Sequence, residues 1–459
     1  MKIILVLGVL FLVQCTSSSS SSVSLASCNS GERPMVVNNQ GSEDIWLGMV
    51  SSSQTCTTDA DCAPGTCSGP ANNGKHYSGA TCVCSASGQC NSAATCNITT
   101  SPDHLCFLNL PRIVNPSQSQ TKQAFIPTGL SLALCFPSAG NLQVQWSGRL
   151  FARKGCDANG QNCQSANCTT NTQNGNCLVG TGGNPPATSA EFTFQNRALS
   201  ATNTDFYDVT MIDGVNMAVS IQPDPNTAVL DPNLPYQCTS PGATQQTGFL
   251  KPCNWKINVP SANITLFRQS SLPVGVAPTL CSSDSDCSNG QVCGLALNAK
   301  VGQKFANACG PLQGYWSASQ ICDNLPFPQG TDNSPVSALG CYGAPGGQPM
   351  TDLLKCTGTA AASCYRTGGT PDSTCCGCPT AAGNNSGWPS LDLAQSSIQC
   401  LINNQNWVTA VQPWLQPFKQ ACPTAYTFPF DDPTSTFTCL SAGDPNTTPG
   451  YTVTFSDLN

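Results

Sequence analysis

The stretch DFYDVTMIDGVN at residues 205–216 decides the fold class of this chain. Phe206 and Val209 lead up to the dipeptide Asp213-Gly214, which is a strong signal for a tight turn between strands. After the turn, apolar residues alternate with other residues at Met217, Val219 and Ile221. Alternation with a period of two is typical of a β-strand that buries one face. The stretch therefore predicts two strands joined as a hairpin.

The same alternation recurs on both sides of this stretch. Residues 35–50 predict another hairpin, with its turn near Asn39-Gln40-Gly41. Further strand patterns lie at residues 142–153, 190–194, 255–266, 437–439 and 451–455. One segment differs, because residues 399–420 place apolar side chains at helical spacing, although Pro413 and Pro417 must shorten or kink that helix. The chain is therefore predicted to be mostly β.

Composition narrows the class of protein. The chain has 459 residues and 31 cysteines, so the cysteines do not compensate for a small core and instead indicate an oxidising compartment. Only 9% of the residues are charged. The net charge of −7 and the isoelectric point near 4.7 argue against nucleic acid as a partner, since there is no cluster of Lys or Arg to offset them.

The N-terminus has the features of a secretory signal. Met1-Lys2 supplies positive charge, residues 3–13 form an apolar run too short to span a bilayer, and a Ser-rich stretch follows. We expect residues 1–26 to be a signal peptide and leader, and the protein to be secreted and extracellular. No later segment is apolar for long enough to be a transmembrane segment. Five sequons are compatible with a glycoprotein: Asn97, Asn167, Asn263, Asn384 and Asn446.

Residues 51–110 differ from the strand-like regions, because they contain eight cysteines and almost no apolar periodicity. They predict a disulfide-stapled insertion between two strands. The sequence CTTDADC at residues 56–62 is echoed by CSSDSDC at residues 281–287. The aspartates of each copy either form a calcium loop or cap the turns of a disulfide knuckle. The second interpretation is favoured, since neither copy has the spaced ligands or the bidentate Glu of a calcium loop.

Several stretches, taken in chain order, resemble the thaumatin-like family, the pathogenesis-related group five proteins. WSGRLFARKGC at residues 146–156 is similar to the segment that precedes the family signature. GQNCQSANC at residues 160–168 is similar to the signature itself, with Ser165 and Asn167 where Thr and Asp are usual. The set is completed by residues 190–194, 205–216, 418–432, 435–439 and 451–455.

The resemblance implies a thaumatin-like β-sandwich with a disulfide-rich second domain of loops and short helices. It implies a sandwich core at residues 33–280, which the 51–110 insertion interrupts. The second domain would occupy residues 281–420, and the strands at residues 421–459 would return to the sandwich.

The resemblance also implies an acidic cleft, whose residues would be Arg149, Glu191, Asp208, Asp213 and one of Asp431 or Asp432. Carboxylates around one groove cannot all ionise freely, so at least one pKa should rise, and Arg149 would moderate the repulsion. Glycoside hydrolysis needs two carboxylates, and we assign Glu191 as the acid and Asp208 or Asp213 as its partner. Arg149, Asp431 and Asp432 are candidate substrate-binding residues. An Asp before Gly in a turn is more often structural, so that alternative stays open for Asp213.

Three functions are consistent with this pattern. The first is an antifungal defence protein that binds β-1,3-glucan or a related wall polysaccharide, and the second is an endo-β-1,3-glucanase. The third is a non-catalytic structural or regulatory extracellular protein. Neither a metal nor another cofactor is expected, because the two histidines, His76 and His104, both lie in the insertion and no phosphate-binding loop is present. A monomer is expected.

Overall fold

The computed structural model has many strands and few, short helices. It describes residues 28–29, 31–56, 59–69, 71–72, 75–76, 80–85, 89–90, 92, 94–97, 104–114, 124–138, 144–168, 177, 180–196, 204–226, 228, 231, 233–246, 250–260, 264–272, 276–288, 290–301, 304–322, 339, 341, 350–356, 358–359, 363–364, 378–379, 386–387, 407, 410–440 and 450–459. The predicted signal peptide and the sequons Asn263, Asn384 and Asn446 lie outside these residues.

In chain order the described strands are β1 Arg33–Asn39, β2 Ile45–Ser51, β3 Thr66–Ser68, β4 Ala71–Asn72, β5 Lys75–His76, β6 Thr81–Cys84, β7 Ala94–Asn97, β8 His104–Leu108, β9 Arg112–Val114, β10 Phe125–Ile126, β11 Ser131–Phe136, β12 Val144–Lys154, β13 Ser189–Gln195, β14 Thr204–Thr210, β15 Ala218–Pro223, β16 Arg268–Ser270, β17 Val292–Val301, β18 Lys304–Gly310, β19 Leu312–Tyr315, β20 Gly358–Thr359, β21 Ser363–Cys364, β22 Cys378–Pro379, β23 Ser386–Gly387, β24 Phe437–Leu440 and β25 Tyr451–Ser456. The helices described in full are α1 Asp59–Cys62, α2 Ile264–Phe267, α3 Ala318–Cys322, α4 Met350–Lys355, α5 Gln412–Ala421 and α6 Asp432–Ser435, and a 3₁₀ turn spans Asp284–Asp286.

Two sheets form a β-sandwich, as the sequence predicts. One has five strands in the order β15-β25-β1-β11-β9, and the other has six in the order β10-β2-β12-β13-β14-β24. Within each sheet, neighbouring strands are antiparallel, except that β1 and β25 run parallel, with Val37 opposite Val453. The first and last described strands therefore pair in the middle of one sheet.

Strand β14 illustrates how alternation builds the core. Tyr207 and Val209 are buried between the sheets, and Phe206 points the opposite way, where it is exposed. Asp205 also points inward, and it is fully buried in an ion pair with Arg33. The hydroxyl of Tyr451 donates to Asp205 at 3.1 Å, so the buried charges are paired and hydrogen-bonded, as a buried ion pair requires.

Both predicted hairpins are wrong. Strands β14 and β15 flank the Asp213-Gly214 turn, but β14 pairs with β13 and β24 in one sheet while β15 pairs with β25 in the other. Strands β1 and β2 likewise lie in different sheets. A period-two pattern identifies the buried face of a strand without identifying its neighbour, and each apolar face here is covered by the opposite sheet. Gly214 has φ of +86°, and a Cβ there would lie 2.6 Å from the carbonyl oxygen of Tyr315. Glycine therefore allows both this turn conformation and the close contact with Tyr315.

The second unit has its own core. It contains a sheet in the order β18-β17-β16-β19 and a hydrophobic cluster that includes Trp316, Ile321 and Leu415. Val215 and Tyr315 exchange backbone hydrogen bonds of 2.9 and 2.6 Å, which join the sandwich to this unit. Helix α5 begins next to Pro413, where the missing N–H of proline is tolerated in the first turn. The domain boundaries stay predictions.

The two echoed cysteine motifs fold in the same way. In each motif the first cysteine is bonded to the next cysteine along the chain after the motif, and the second is bonded to the one after that. The pairs are Cys56–Cys67, Cys62–Cys82, Cys281–Cys293 and Cys287–Cys309. A carboxylate oxygen of Asp59 accepts the N–H of Cys67 at 2.8 Å, and one of Asp284 accepts that of Cys293 at 2.9 Å. These two aspartates tie the knuckle to the strand that follows it, and in the second copy Asp286 caps the turn, because its Oδ2 accepts the N–H groups of Ser282 and Ser283 at 2.7 and 3.0 Å.

The disulfide bonds suit an oxidising compartment. Twelve of them join described cysteines. Within the described ranges, none of the helices is long and apolar enough to cross a bilayer. Of the two described sequons, Asn97 is only 7% exposed and Asn167 is half-buried, so neither offers an open acceptor for a glycan.

Candidate functional site

Three adjacent strands of the six-stranded sheet bring predicted cleft residues into one row. Arg149 on β12 lies directly opposite Glu191 on β13, which lies directly opposite Asp208 on β14. Their chain neighbours Leu150 and Tyr207 are buried in the sandwich core. Because successive side chains of a strand point to opposite faces, the row lies on the outer face of the sheet. We call these three residues the carboxylate row.

Asp213 joins the row from the turn that follows β14. Arg149 Nη1 donates to Asp213 Oδ2 at 2.7 Å and lies 3.6 Å from Glu191 Oε1. The other carboxylate oxygen, Asp213 Oδ1, accepts a hydrogen bond from Gln320 Nε2 on α3 at 2.5 Å. Both oxygens of Asp213 are therefore occupied, one from each unit of the protein. This arrangement suits a residue that holds Arg149 in place.

The carboxylate row forms part of a groove of about 380 Å³, within the size range of ligand sites. The groove is lined by Val50, Ser51, Ser52, Ser147, Gly148, Arg149, Glu191, Phe192, Thr193, Phe206 and Asp208. It lies on the outer face of the sheet, and most of its lining residues belong to β2, β12, β13 and β14. Glu191 keeps 38% of its side chain exposed, which leaves its carboxylate accessible.

The two carboxylates of the row are difficult to ionise together. Loss of water contact raises the pKa of Glu191, while Arg149 opposes that rise and Asp213 adds to it. Burial raises the pKa of Asp208 well above its usual value, and the charges of Glu191 and Asp432 raise it further. Asp208 Oδ1 is buried and has no hydrogen-bond partner among the described residues. Asp208 is therefore the carboxyl group better suited to stay protonated, and the pair titrates as a unit.

The two adjacent aspartates near the C-terminus have different surroundings. Asp431 is fully buried, and its Oδ2 accepts a hydrogen bond from Lys419 Nζ at 2.7 Å. Asp432 is exposed and accepts a hydrogen bond from the hydroxyl of Tyr426. Tyr426 lies beside β14, because its N–H donates to the carbonyl of Val209 at 2.8 Å. Of the two candidates, Asp432 is the one that a ligand could reach.

Several site residues were missed from the sequence. Gln320 and Tyr426 are more than 100 residues away from Asp213, and no local pattern connects them to it. Phe206 could have been found, because it is two residues before Asp208 and must share its face of the strand. The same rule applied to Glu191 identifies Thr193.

Potential metal ligands lie elsewhere in the described residues. The clusters with suitable spacing are three groups of cysteines and one of Cys28, Glu32 and Cys135. All of these cysteines are in disulfide bonds, so their sulfur atoms are not thiolate ligands.

Comparison with known proteins identifies the family. A sequence model of the thaumatin family matches residues 109–322. A pathogenesis-related protein 1A/1B of Hordeum vulgare is 34% identical over 128 residues, which are 27% of this chain and 70% of that protein. The chain belongs to the thaumatin family, as its sequence motifs predict.

Two other relatives match over a smaller share of their length. A glucan endo-1,3-beta-glucosidase of Prunus avium is 35% identical over 142 residues, 29% of this chain and 55% of that protein. Thaumatin-like protein 2 of Prunus persica is 37% identical over 122 residues, 26% of this chain and 47% of that protein. The chain thus spans about half the length of these two relatives. A solved structure of a laminaripentaose-producing beta-1,3-glucanase with laminaritetraose aligns over 94% of this chain and 99% of its own at 12% identity. Its TM-score is 0.33, which is too low to support a conclusion about this chain.

Proposed function

We propose that this chain is a secreted, extracellular defence protein that binds β-1,3-glucan or a related wall polysaccharide in the groove. The observation that carries the proposal is the carboxylate row itself, with Arg149, Glu191 and Asp208 side by side on one open face.

The chemistry of the groove suits a neutral polyhydroxylated chain. The carboxylate of Glu191 accepts hydrogen bonds from sugar hydroxyls, the protonated Asp208 can both donate to them and accept from them, and the guanidinium of Arg149 donates to them. Hydrogen bonds to charged groups are stronger than those between neutral groups. The exposed ring of Phe206 adds an apolar surface at the same site. The name of the Prunus avium relative supports β-1,3-glucan as the first polymer to test.

Retention on insoluble polysaccharide tests the proposal. The protein should bind β-1,3-glucan in preference to cellulose. Glu191→Gln should weaken binding by about tenfold or more, because a hydrogen bond to a charged group contributes about 1.5–3 kcal/mol. Asp208→Asn should weaken binding by about threefold, because a hydrogen bond to a neutral group contributes about 0.5–1.5 kcal/mol. Glu43→Gln is the matched control, since Glu43 is exposed in the turn between β1 and β2, outside the groove. Equal retention on both polymers, or variants that bind like the control, would contradict the proposal. Failure to bind any wall polysaccharide would favour a structural or regulatory protein.

Endo-β-1,3-glucanase activity is a second candidate, favoured by the pairing of Glu191 with Asp208. Asp208 would donate its proton to the glycosidic oxygen as the bond to the anomeric carbon breaks, and Glu191 would attack that carbon. These roles reverse the assignment made from the sequence, because burial raises the pKa of Asp208 more than that of Glu191. Directly opposite residues have Cβ atoms about 4.5–5.5 Å apart, so both carboxyl groups can reach one glycosidic bond.

Release of reducing sugar from soluble β-1,3-glucan tests this second candidate. Glu191→Gln and Asp208→Asn should each abolish release. Asp213→Asn should retain activity, since an amide oxygen can still accept the hydrogen bond from Arg149. Binding without any release would support the first function and reject the second.

A further inference from the structure

A second row of side chains crosses the groove beside the carboxylate row. Ser52 Oγ donates to Ser147 Oγ at 3.2 Å, and Ser147 Oγ lies 3.0 Å from Thr193 Oγ1. Thr193 lies directly opposite Phe206, whose ring is 40% exposed. We call these four residues the hydroxyl row. It carries three hydroxyl groups and one aromatic ring, and no charge.

The hydroxyl row is parallel to the carboxylate row and on the same face. Ser147, Thr193 and Phe206 are each two residues along their strands from Arg149, Glu191 and Asp208. Two residues of antiparallel strand span about 7 Å, which is similar to the length of one hexose ring. A polysaccharide that runs along the strands would place one sugar on each row.

The chemistry of the hydroxyl row differs from that of the carboxylate row. A hydroxyl both donates and accepts hydrogen bonds, so Ser147 and Thr193 can exchange their mutual hydrogen bond for bonds to a sugar. The exposed ring of Phe206 offers a flat apolar surface for the C–H face of a sugar ring. These groups suit an uncharged sugar that is held and not cleaved.

The cysteine-rich insertion fixes the end of the groove. The backbone N–H of Ser52 donates to the carbonyl of Ser147 at 2.8 Å, and the N–H of Leu108 donates to the carbonyl of Ser52 at 3.1 Å. Phe107 packs against Gly180, where a Cβ would lie 2.7 Å from its ring. Ser52 is therefore held between the sandwich and the insertion, which fixes its position at the edge of the groove.

We infer that the hydroxyl row is a second sugar-binding subsite, which the insertion supports and which gives the protein a preference for longer glucan chains. This inference rests on the proposed function of the carboxylate row. It adds that the affinity grows with chain length through contacts with Thr193 and Phe206.

Calorimetric titration with glucose, which can cover only one row at a time, and with laminarihexaose tests the inference. The wild-type protein should bind the hexaose more tightly. Phe206→Ala should weaken hexaose binding by about tenfold, which corresponds to burial of about 55 Å² of apolar surface, whereas the affinity for glucose on the carboxylate row does not depend on this contact. Thr193→Val should act in the same direction. The matched controls are Leu130→Ala, which truncates a side chain of similar exposure on the other sheet, and Thr452→Val on β25.

Two results would overturn the inference, and they are distinguishable. If the wild-type protein binds the hexaose and Phe206→Ala and Thr193→Val match their controls, the second subsite is wrong and the proposed function stands. If neither glucose nor laminarihexaose binds the wild-type protein, the proposed function is wrong and the second subsite fails with it.

Discussion

Replacement of Lys419 by Met should strongly destabilise the protein. Lys419 on α5 is 1% exposed and Asp431 is 0% exposed, so water does not reach either charge. The Nζ atom of Lys419 lies 2.7 to 3.0 Å from four acceptors, on Asp431, Thr434, Ser435 and Ala425. Methionine keeps the length and apolar stem of lysine, so the change removes the ammonium with little loss of packing.

The expected magnitude follows from the carboxylate that remains. Breaking a buried ion pair by removing one partner costs about 3–5 kcal/mol, because the other charge is left buried without compensation. Asp431 keeps hydrogen bonds from the N–H of Thr427 and the hydroxyl of Thr434, which favours the lower end of that range. We therefore expect a loss of about 3 kcal/mol in the free energy of unfolding. The double variant Lys419→Met/Asp431→Asn should recover part of the loss, since it removes the unpaired charge.

Urea unfolding with intact disulfides, followed by tryptophan fluorescence, measures this effect. Lys256→Met is the control, because Lys256 is exposed. The reasoning would be refuted if Lys419→Met unfolded at the same urea concentration as the control. It would also be refuted if the double variant were no more stable than the single one.

Three further changes give equally definite outcomes. Burial raises the pKa of Asp208 above its ordinary 3.8, so the folded protein holds a proton that the unfolded chain releases, and the contribution of Asp208 to stability should fall as the pH rises above about 4. Asp208→Asn removes this contribution, so the variant should gain stability relative to the wild type as the pH rises from about 4 to about 7, and parallel urea-unfolding profiles from about pH 3 to about pH 7 would contradict this. Gln320→Leu should weaken laminarihexaose binding by about threefold, because it removes the hydrogen bond to Asp213. Gln320→Glu should weaken binding more, because its carboxylate repels that of Asp213. If Gln320→Glu bound with wild-type affinity, Gln320 would have no role in positioning Asp213. Gly148→Ala should lower the free energy of unfolding by about 1–3 kcal/mol, because a Cβ would overlap the carbonyl of Val50 beside Arg149, and an unchanged melting temperature would contradict this.

The faces of the strands could be predicted from the sequence, but their partners could not. Alternation after the Asp213-Gly214 turn correctly predicts that Met217, Val219 and Ile221 are buried, whereas Phe206, which was grouped with Val209 before the turn, is exposed. The predicted hairpin nevertheless failed, because strand pairing depends on which sheet covers the apolar face. The order β12-β13-β14, which aligns the carboxylate row, was not predicted, because the family resemblance implied only that the row residues share one cleft.

Parts of the site depended on contacts between distant segments. Asp431 and Asp432 are adjacent and chemically identical in the sequence, and only the position of Lys419 separates a buried ion pair from an exposed carboxylate. Gln320 reaches Asp213 because Val215 and Tyr315 hold the two units together. No local pattern predicts either contact, since both arise from the packing of residues that are distant in the chain.

A crystal structure with laminarihexaose bound tests the central claim most directly. The account predicts one sugar ring within hydrogen-bond distance of Arg149, Glu191 and Asp208, and the next ring against Phe206. An oligosaccharide bound on another surface, with the carboxylate row left unoccupied at saturating ligand, would contradict it.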